Sequence, residues 1–167
     1  ENEKDWMRSV SGMTRTGNWP ADVLAVAETQ LGYKESTRNV ILKGDDLKGY
    51  TRYGDWYGNQ YGDWCAMFAA FCLHYAGIPQ ETVPRESSAE RWLAALRADP
   101  KHSALLDTVP EAGDLLFYLQ NGQTRVAIVT DATPETDPGD SSRQVLYLLV
   151  MEGNYDDAVV RRRISTQ

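Results

Sequence analysis

The chain contains, at residues 61–68, the segment Tyr61-Gly62-Asp63-Trp64-Cys65-Ala66-Met67-Phe68, in which an apolar helix is predicted to begin at Cys65. The first residues of a helix carry unsatisfied N–H groups and a partial positive charge. Both favour the thiolate, which is the nucleophilic form of cysteine. Cys72 lies inside the same helix between apolar residues and is predicted to be a small buried hydrophobic residue. Position alone leaves two interpretations of Cys65 open, a nucleophile or a core residue.

Composition excludes several classes of function. The 167 residues suit one domain, and 42% hydrophobic and 25% charged residues are typical of a soluble globular protein. The net charge of −7 argues against a nucleic-acid partner, because no basic surface is available to neutralise phosphates. No segment is apolar over the length that membrane insertion requires. Neither a metal nor a cofactor is expected, since no Cys/His cluster has ligand spacing and Asp45, Asp46 and Asp55 fit solvated loop carboxylates better than a calcium site.

The N-terminal half is expected to hold an arm, a helix and a long loop. Residues 1–19 are polar and predict an arm or linker, which leaves 20–167 as a single domain. Asn18 and Pro20 predict the start of a helix that ends at Gly32. Residues 33–64 contain repeated glycines and predict an irregular segment. Three of its aromatic residues are candidates for lining a substrate groove, although rings in such a loop also commonly cover a core: Trp56, Tyr61 and Trp64.

The C-terminal half changes from helices to strands. The helix from Cys65 is predicted to end at Ala76, before Gly77, and residues 87–90 match a capping box that would start a third helix. Four strands are then predicted, at 114–119, 124–131, 144–152 and 158–164, with a hairpin turn at 120–122 and a proline- and glycine-containing loop between the second and third. Helices followed by an antiparallel sheet of about four or more strands indicate an α+β fold.

Four short motifs in this order resemble the CHAP family, the cysteine-, histidine-dependent amidohydrolase/peptidases. They are Trp64–Phe68, Gly113–Phe117, Val126–Val129 and Glu152–Asn154. The resemblance covers roughly residues 20–164 and implies a papain-like fold of the CHAP/NlpC type. It further implies a bacterial protein that is secreted or associated with the cell envelope. Its expected partner is peptidoglycan or the stem peptides of peptidoglycan.

The resemblance also assigns roles to individual residues. Cys65 takes the position of the nucleophile, and Glu152 and Asn154 take the positions that orient the catalytic histidine. In the family mechanism a base removes the thiol proton, the thiolate attacks an amide carbonyl, and the protonated base then supplies a proton to the leaving amine. In this chain Arg125 occupies the histidine position. Arginine stays protonated and cannot accept the thiol proton, so we expect an Arg125–Glu152 ion pair instead.

The two histidines of the chain do not replace the missing base. His74 lies about 13 Å along the helix from Cys65 and on the opposite face. His102 belongs to a loop and fits a solvated side chain, while Asp63 and Glu152 are too weakly basic to deprotonate a thiol efficiently. Three functions stay open. One is a cell-wall amidase or endopeptidase impaired by the loss of its histidine, and another is an inactive CHAP-like module that binds peptide or glycopeptide in an aromatic-lined groove. The third is an extracellular interaction module that has only inherited the groove.

Overall fold

The structure is a computed structural model that describes residues 3–106 and 109–166. Helices and strands are both present, and the strands that follow the main helices form one antiparallel sheet. The helices are α1 (Glu3–Ser11), α2 (Trp19–Thr29), α3 (Arg52–Tyr57), α4 (Cys65–Tyr75), α5 (Ala89–Ala98) and α6 (Pro100–Ser103). The strands are β1 (Val40–Lys43), β2 (Asp46–Gly49), β3 (Leu115–Gln120), β4 (Gln123–Asp137), β5 (Asp140–Tyr155) and β6 (Ala158–Thr166). This mixed architecture agrees with the predicted α+β class.

The sheet has the strand order β3-β4-β5-β6, so each strand pairs with its neighbour in sequence. The turn between β3 and β4 contains Asn121 and Gly122 with φ of 51° and 76°, the left-handed conformations that a tight hairpin turn needs. The prediction of a loop around Pro134 was wrong, because β4 continues to Asp137 and pairs with β5. Pro134 lies beyond the end of the pairing with β3, where β4 has an open edge, and such an edge tolerates proline.

Helix α4 is the centre of the hydrophobic core. It is apolar on all sides, and nine of its eleven residues are buried. One side packs against Val126, Ile128 and Met151 of the sheet, while α2 and α3 cover other sides. A helix that is hydrophobic all round must be enclosed in this way. The predicted start at Cys65 is confirmed, and the helix ends at Tyr75, one residue before the predicted end at Ala76, which is the C-cap residue.

The caps of α2 and α5 show where local sequence signals succeed and fail. Asn18 accepts a hydrogen bond from Ala21 N–H at 3.1 Å, which confirms the predicted start of α2. The capping box at α5 is not formed as predicted, because Ser88 rather than Ser87 is the N-cap residue. The Ser87 hydroxyl instead accepts a hydrogen bond from the Arg91 guanidinium at 2.9 Å.

Residues 3–64 contain more regular structure than the sequence suggested. The prediction of an arm or linker over residues 1–19 was wrong, because this segment contains α1. Trp6 and Val10 are buried on one side of α1, and the centres of the Trp6 and Phe71 rings lie 5.5 Å apart. These two side chains are four residues apart, so they share a helix face. The expected irregular segment 33–64 contains the β1–β2 hairpin and α3. Among the described residues, no helix is both long and apolar enough to cross a membrane.

Candidate functional site

Cys65 is the first residue of α4 and lies on the wall of a groove of about 550 Å³. The β1–β2 hairpin, the loop before α4, the start of α5 and the β3–β4 turn form the other walls. Arg125 and Asn154 also line this groove. The structure thus brings together three of the four residues that the resemblance assigned to catalysis, and Glu152 lies directly behind Arg125.

The environment of Cys65 does not produce a low thiol pKa. Burial raises the pKa of the Cys65 thiol above its ordinary value. The backbone N–H of Val126 and the positive charge of Arg125 both lower it, but they offset only part of the effect of burial. At Cys65, desolvation of the charged form therefore outweighs the helix position and the charge of Arg125, both of which favour the thiolate.

Arg125 is held by acceptors on β5 rather than directed freely into the groove. Its Nε donates to Oε2 of Glu152 at 2.6 Å, which confirms the predicted ion pair. Its Nη2 donates to the carbonyl oxygens of Gly153 and Asn154 at 3.1 Å and 3.0 Å. A guanidinium with these three bonds is fixed in place and stays protonated. Arg125 can attract a negative charge in the groove, but it cannot act as a general base.

Glu152 is completely buried and is the acceptor for three side chains. Besides Arg125, Arg162 donates from Nε to Oε1 at 2.9 Å, and the Tyr118 hydroxyl donates to Oε2 at 2.5 Å. Arg162 Nη2 also donates to the Tyr118 oxygen at 2.6 Å, and its guanidinium lies 4.2 Å from the centre of the Tyr155 ring. Both carboxylate oxygens are therefore occupied, as the burial of a charge requires.

Tyr118 and Arg162 were not predicted as site residues. Arg162 belongs to the run Arg161-Arg162-Arg163, in which the outer two side chains are exposed and the middle one is half-buried. Side chains of a strand alternate between its faces, so this run places only Arg162 on the Glu152 side. That alternation is the signal in the sequence that could have identified Arg162.

Asn154 lies on the groove in a left-handed conformation, with φ of 57°. It belongs to an irregularity between β5 and β6, where the register shifts between Glu152 and Tyr155. Its carbonyl oxygen accepts from Arg125. The expected role of Asn154 in orienting a histidine has no histidine to act on here.

The three aromatic residues predicted to bind substrate do not line the groove. Trp64 is fully buried, its ring stacks on Tyr53 at 5.3 Å, and its Nε1 donates to Glu35. Trp56 packs against His74, near the far end of α4, at 5.3 Å. The Tyr61 hydroxyl donates to Asn39.

Within the described residues, no aromatic side chain borders the groove, whose walls are mostly polar. The prediction of an aromatic-lined groove was wrong. Four rings of the glycine-rich segment instead belong to the core around α4, and this packing buries much of their apolar area: Tyr53, Trp56, Tyr57 and Trp64.

Neither histidine lines the groove. His74 is exposed near the end of α4. Partial desolvation of its ring and the charges of Arg85 and Arg15 lower its pKa. His102 Nδ1 lies 2.6 Å from Asp99 Oδ2, and its Nε2 lies 2.8 Å from the carbonyl oxygen of Thr82. Both partners are acceptors, so both ring nitrogens donate and neither can receive a thiol proton. His102 also borders a separate apolar cavity between α5 and β3.

The carboxylates considered for a metal are not grouped. Over residues 3–106 and 109–166, no set of three or more His, Cys, Asp and Glu side chains could hold a metal ion. Asp55 accepts hydrogen bonds from the Tyr50 hydroxyl and from Gln60. Asp46 is the first residue of β2 and pairs with Lys43 of β1. Cys65 and Cys72 are free thiols.

Comparison with known proteins leaves this geometry as the basis for functional inference. No protein-family model matches the sequence, and comparisons with curated proteins and with solved structures also find no match. A polar groove, a half-buried thiol and a fixed arginine are what the site offers. These groups can bind a polar ligand through hydrogen bonds and charge.

Proposed function

We propose that this chain is a CHAP-like module of papain-like fold that binds peptide at the groove beside Cys65 without efficient hydrolysis. Its proposed partner is peptidoglycan or the stem peptides of peptidoglycan, met outside the bacterial cytoplasm at the cell envelope. The family resemblance supplies the class of ligand, and the geometry of Arg125 favours binding over turnover.

One observation carries the proposal, the 2.6 Å bond between Arg125 Nε and Glu152 Oε2 at the position where the family has its base. A cysteine hydrolase needs a group that takes a proton from the thiol and returns it to the leaving amine. Arg125 does neither, and Glu152 is already bonded through both oxygens. The raised pKa of Cys65 adds to this, because less thiolate is present at neutral pH.

The groove itself supports a peptide ligand. Its volume of about 550 Å³ falls in the ordinary range for small-ligand sites and accommodates a few residues of extended peptide. The lining includes side chains that donate and accept hydrogen bonds, among them Ser87, Ser88, Gln123 and Thr124. These groups match the amide and carboxylate groups of a peptide better than the apolar surface of a lipid.

The alternative function is hydrolysis through a base that the sequence does not identify. It is favoured by the position of Cys65, which borders the groove at the start of α4 and receives a hydrogen bond from Val126 N–H. The two functions differ in whether bonds are broken.

The test is a paired assay of binding and cleavage on insoluble peptidoglycan. Wild type, Cys65→Ala, Arg125→His and Arg163→His are incubated with it, and cosedimented protein and newly released amines are measured. Arg163 is the control because it is an exposed arginine of β6 paired with Glu135.

We expect wild type and Cys65→Ala to sediment equally and to release no amines. Cleavage by wild type that Cys65→Ala abolishes would overturn the proposal in favour of the hydrolase. Absence of cosedimentation would reject the peptidoglycan partner. Amine release gained by Arg125→His alone would identify the site as one that lost its activity with its histidine.

A further inference from the structure

Charged residues around the groove are mostly arranged in pairs. Lys48 lies 3.3 Å from Asp63, and Arg91 lies 3.5 Å from Glu86. Lys43 and Glu90 also line the groove and carry opposite charges. The three positive and three negative charges of these residues cancel, so the sign of the net charge at the groove depends on the cluster around Glu152.

That cluster carries an excess positive charge. Two arginines, Arg125 and Arg162, share the single carboxylate of Glu152. Arg125 and Arg162 keep 15% and 22% of their side-chain surface exposed, whereas Glu152 keeps none. The molecule as a whole has a net charge of −7, so a positive groove is a local feature that must be built by specific residues.

Arg162 is the residue that creates the excess. It does not line the groove, but it occupies Oε1 of Glu152 and the Tyr118 oxygen. With Arg162 present, only part of the carboxylate charge is available to neutralise Arg125. Without it, Arg125 and Glu152 would form a neutral pair, and the groove would lose its attraction for anions.

We propose that the groove beside Cys65 binds a carboxylate of its peptide ligand through the charge of Arg125, and that Arg162 is a positioning residue that keeps this charge available. The inference rests on the proposed function, because it specifies which group of the peptide is recognised. A single carboxylate matches the single excess charge of the cluster. The two sources of this group are the C-terminal carboxylate of a peptide and an acidic side chain, and the titrations described next distinguish them.

The first experiment uses wild-type protein and needs no substitution. Acetyl-Ala-Ala with a free C-terminus, its C-terminal amide, and acetyl-Glu-amide are titrated into labelled protein, and affinities are read from amide chemical shifts. We expect the free acid to bind about tenfold more tightly than the amide, which is the ordinary size of one charge-assisted hydrogen bond. Its affinity is also expected to fall with added salt.

Equal affinity for acetyl-Ala-Ala and its C-terminal amide would overturn the carboxylate inference. Tighter binding of acetyl-Glu-amide than of acetyl-Ala-Ala would show that the recognised carboxylate belongs to an acidic side chain. Either result leaves cosedimentation with peptidoglycan unaffected, so failure of this inference is distinguishable from failure of the proposed function. If cosedimentation is absent while the acid binds selectively, the partner is rejected and the carboxylate site stands.

The second experiment tests Arg162 with Arg162→Met, Arg162→Lys and the control Arg163→Met. Arg162→Met is expected to weaken binding of acetyl-Ala-Ala about tenfold and to leave the affinity for its C-terminal amide unchanged. Arg162→Lys keeps the positive charge and is expected to bind acetyl-Ala-Ala nearly as tightly as wild type. The alkylation rate of Cys65 as a function of pH is a second readout that packing alone would not move, since the lost charge raises the pH at which the thiolate forms. Unchanged acid binding in folded Arg162→Met would overturn the role of Arg162. Should that variant not fold, Arg162→Gln takes its place with the same expected loss, because it keeps a polar side chain beside Glu152 and Tyr118 but lacks the charge.

Discussion

The Nε atom of Arg125 lies 2.6 Å from Oε2 of Glu152, a carboxylate with no exposed surface. The pair links β4 to β5 beside the start of α4, and Arg162 extends it to β6. Tyr118 of β3 donates to the same carboxylate, so all four strands of the sheet are joined through one buried charge. An arrangement of this kind has consequences for stability as well as for binding.

The substitution Glu152→Gln is expected to destabilise the protein by about 3 kcal/mol, because two arginines lose the charge that compensates them. This value is at the lower end for a buried pair, since Arg125 and Arg162 keep some contact with water. The matched control is Glu135→Gln, whose partner is Arg163 at side-chain exposures of 49% and 53%. It is expected to cost less than about 1 kcal/mol. Urea unfolding of both variants measures the difference, and equal losses would contradict the importance of burial.

The thiol of Cys65 is expected to alkylate slowly at neutral pH. Burial raises its pKa above the ordinary value of 9.0, so the iodoacetamide rate should rise only in alkaline solution. Arg125→Met should move this rise to still higher pH, because the arginine charge favours the thiolate. Cys65→Ala serves as the control, since Cys72 is fully buried and should react little. A midpoint below that of a free thiol would contradict the effect of burial.

The sequence predicts those parts of the fold whose signals are local. Helix α2 follows from Asn18 and Pro20, and the β3–β4 hairpin follows from Asn121-Gly122. Helix α1 was missed because burial of Trp6 depends on Phe71, a partner 65 positions away that local pattern does not reveal. Tertiary packing overrides local composition in such segments.

The candidate site was predictable to a similar degree. The Arg125–Glu152 pair follows from chemistry once the two positions are aligned, since a fixed cation needs an acceptor. The groove lining was not predictable, because the same aromatic sequence can cover a core or border a cavity. The orientation of the Trp64 side chain depends on stacking against Tyr53 and on the hydrogen bond that it donates to Glu35.

The two histidines are expected to affect stability with opposite dependence on pH. The Thr82 carbonyl and the Asp99 carboxylate raise the pKa of His102 above its ordinary value of 6.5. Its stabilising contribution is therefore complete below that value and is lost as the pH rises through the higher pKa of the folded protein. Partial desolvation and the charges of Arg85 and Arg15 lower the pKa of His74, so its contribution is present above 6.5 and is lost as the pH falls through the lower pKa.

Urea midpoints of wild type, His102→Gln and His74→Gln over a range of pH check this prediction. His102→Gln should lose stability relative to wild type mainly on the acid side, and the difference should shrink in alkaline solution. His74→Gln should gain relative to wild type only on the acid side. Parallel curves for all three proteins would contradict the assignment of either histidine.

Gly153 is expected to tolerate no side chain, because it holds β5 directly against the first turns of α4. A Cβ added at this position would lie 2.5 Å from Cβ and 2.8 Å from Cγ of Phe68, which is closer than packed carbon atoms allow. Gly153→Ala should therefore cost about 1 to 3 kcal/mol through overpacking. Gly139→Ala is the control, since its added Cβ would meet only Asp137 at 3.5 Å.

The same substitution should also disturb the site. Gly153 separates Glu152 from Asn154, and its carbonyl oxygen accepts from Arg125. A shift of β5 away from Phe68 would therefore weaken the bonds that fix Arg125, and binding of acetyl-Ala-Ala should fall together with stability. Amide chemical shifts of Cys65 and Arg125 report this movement directly. Loss of stability without any shift at these two residues would show that the close packing of Gly153 supports the core alone and not the groove.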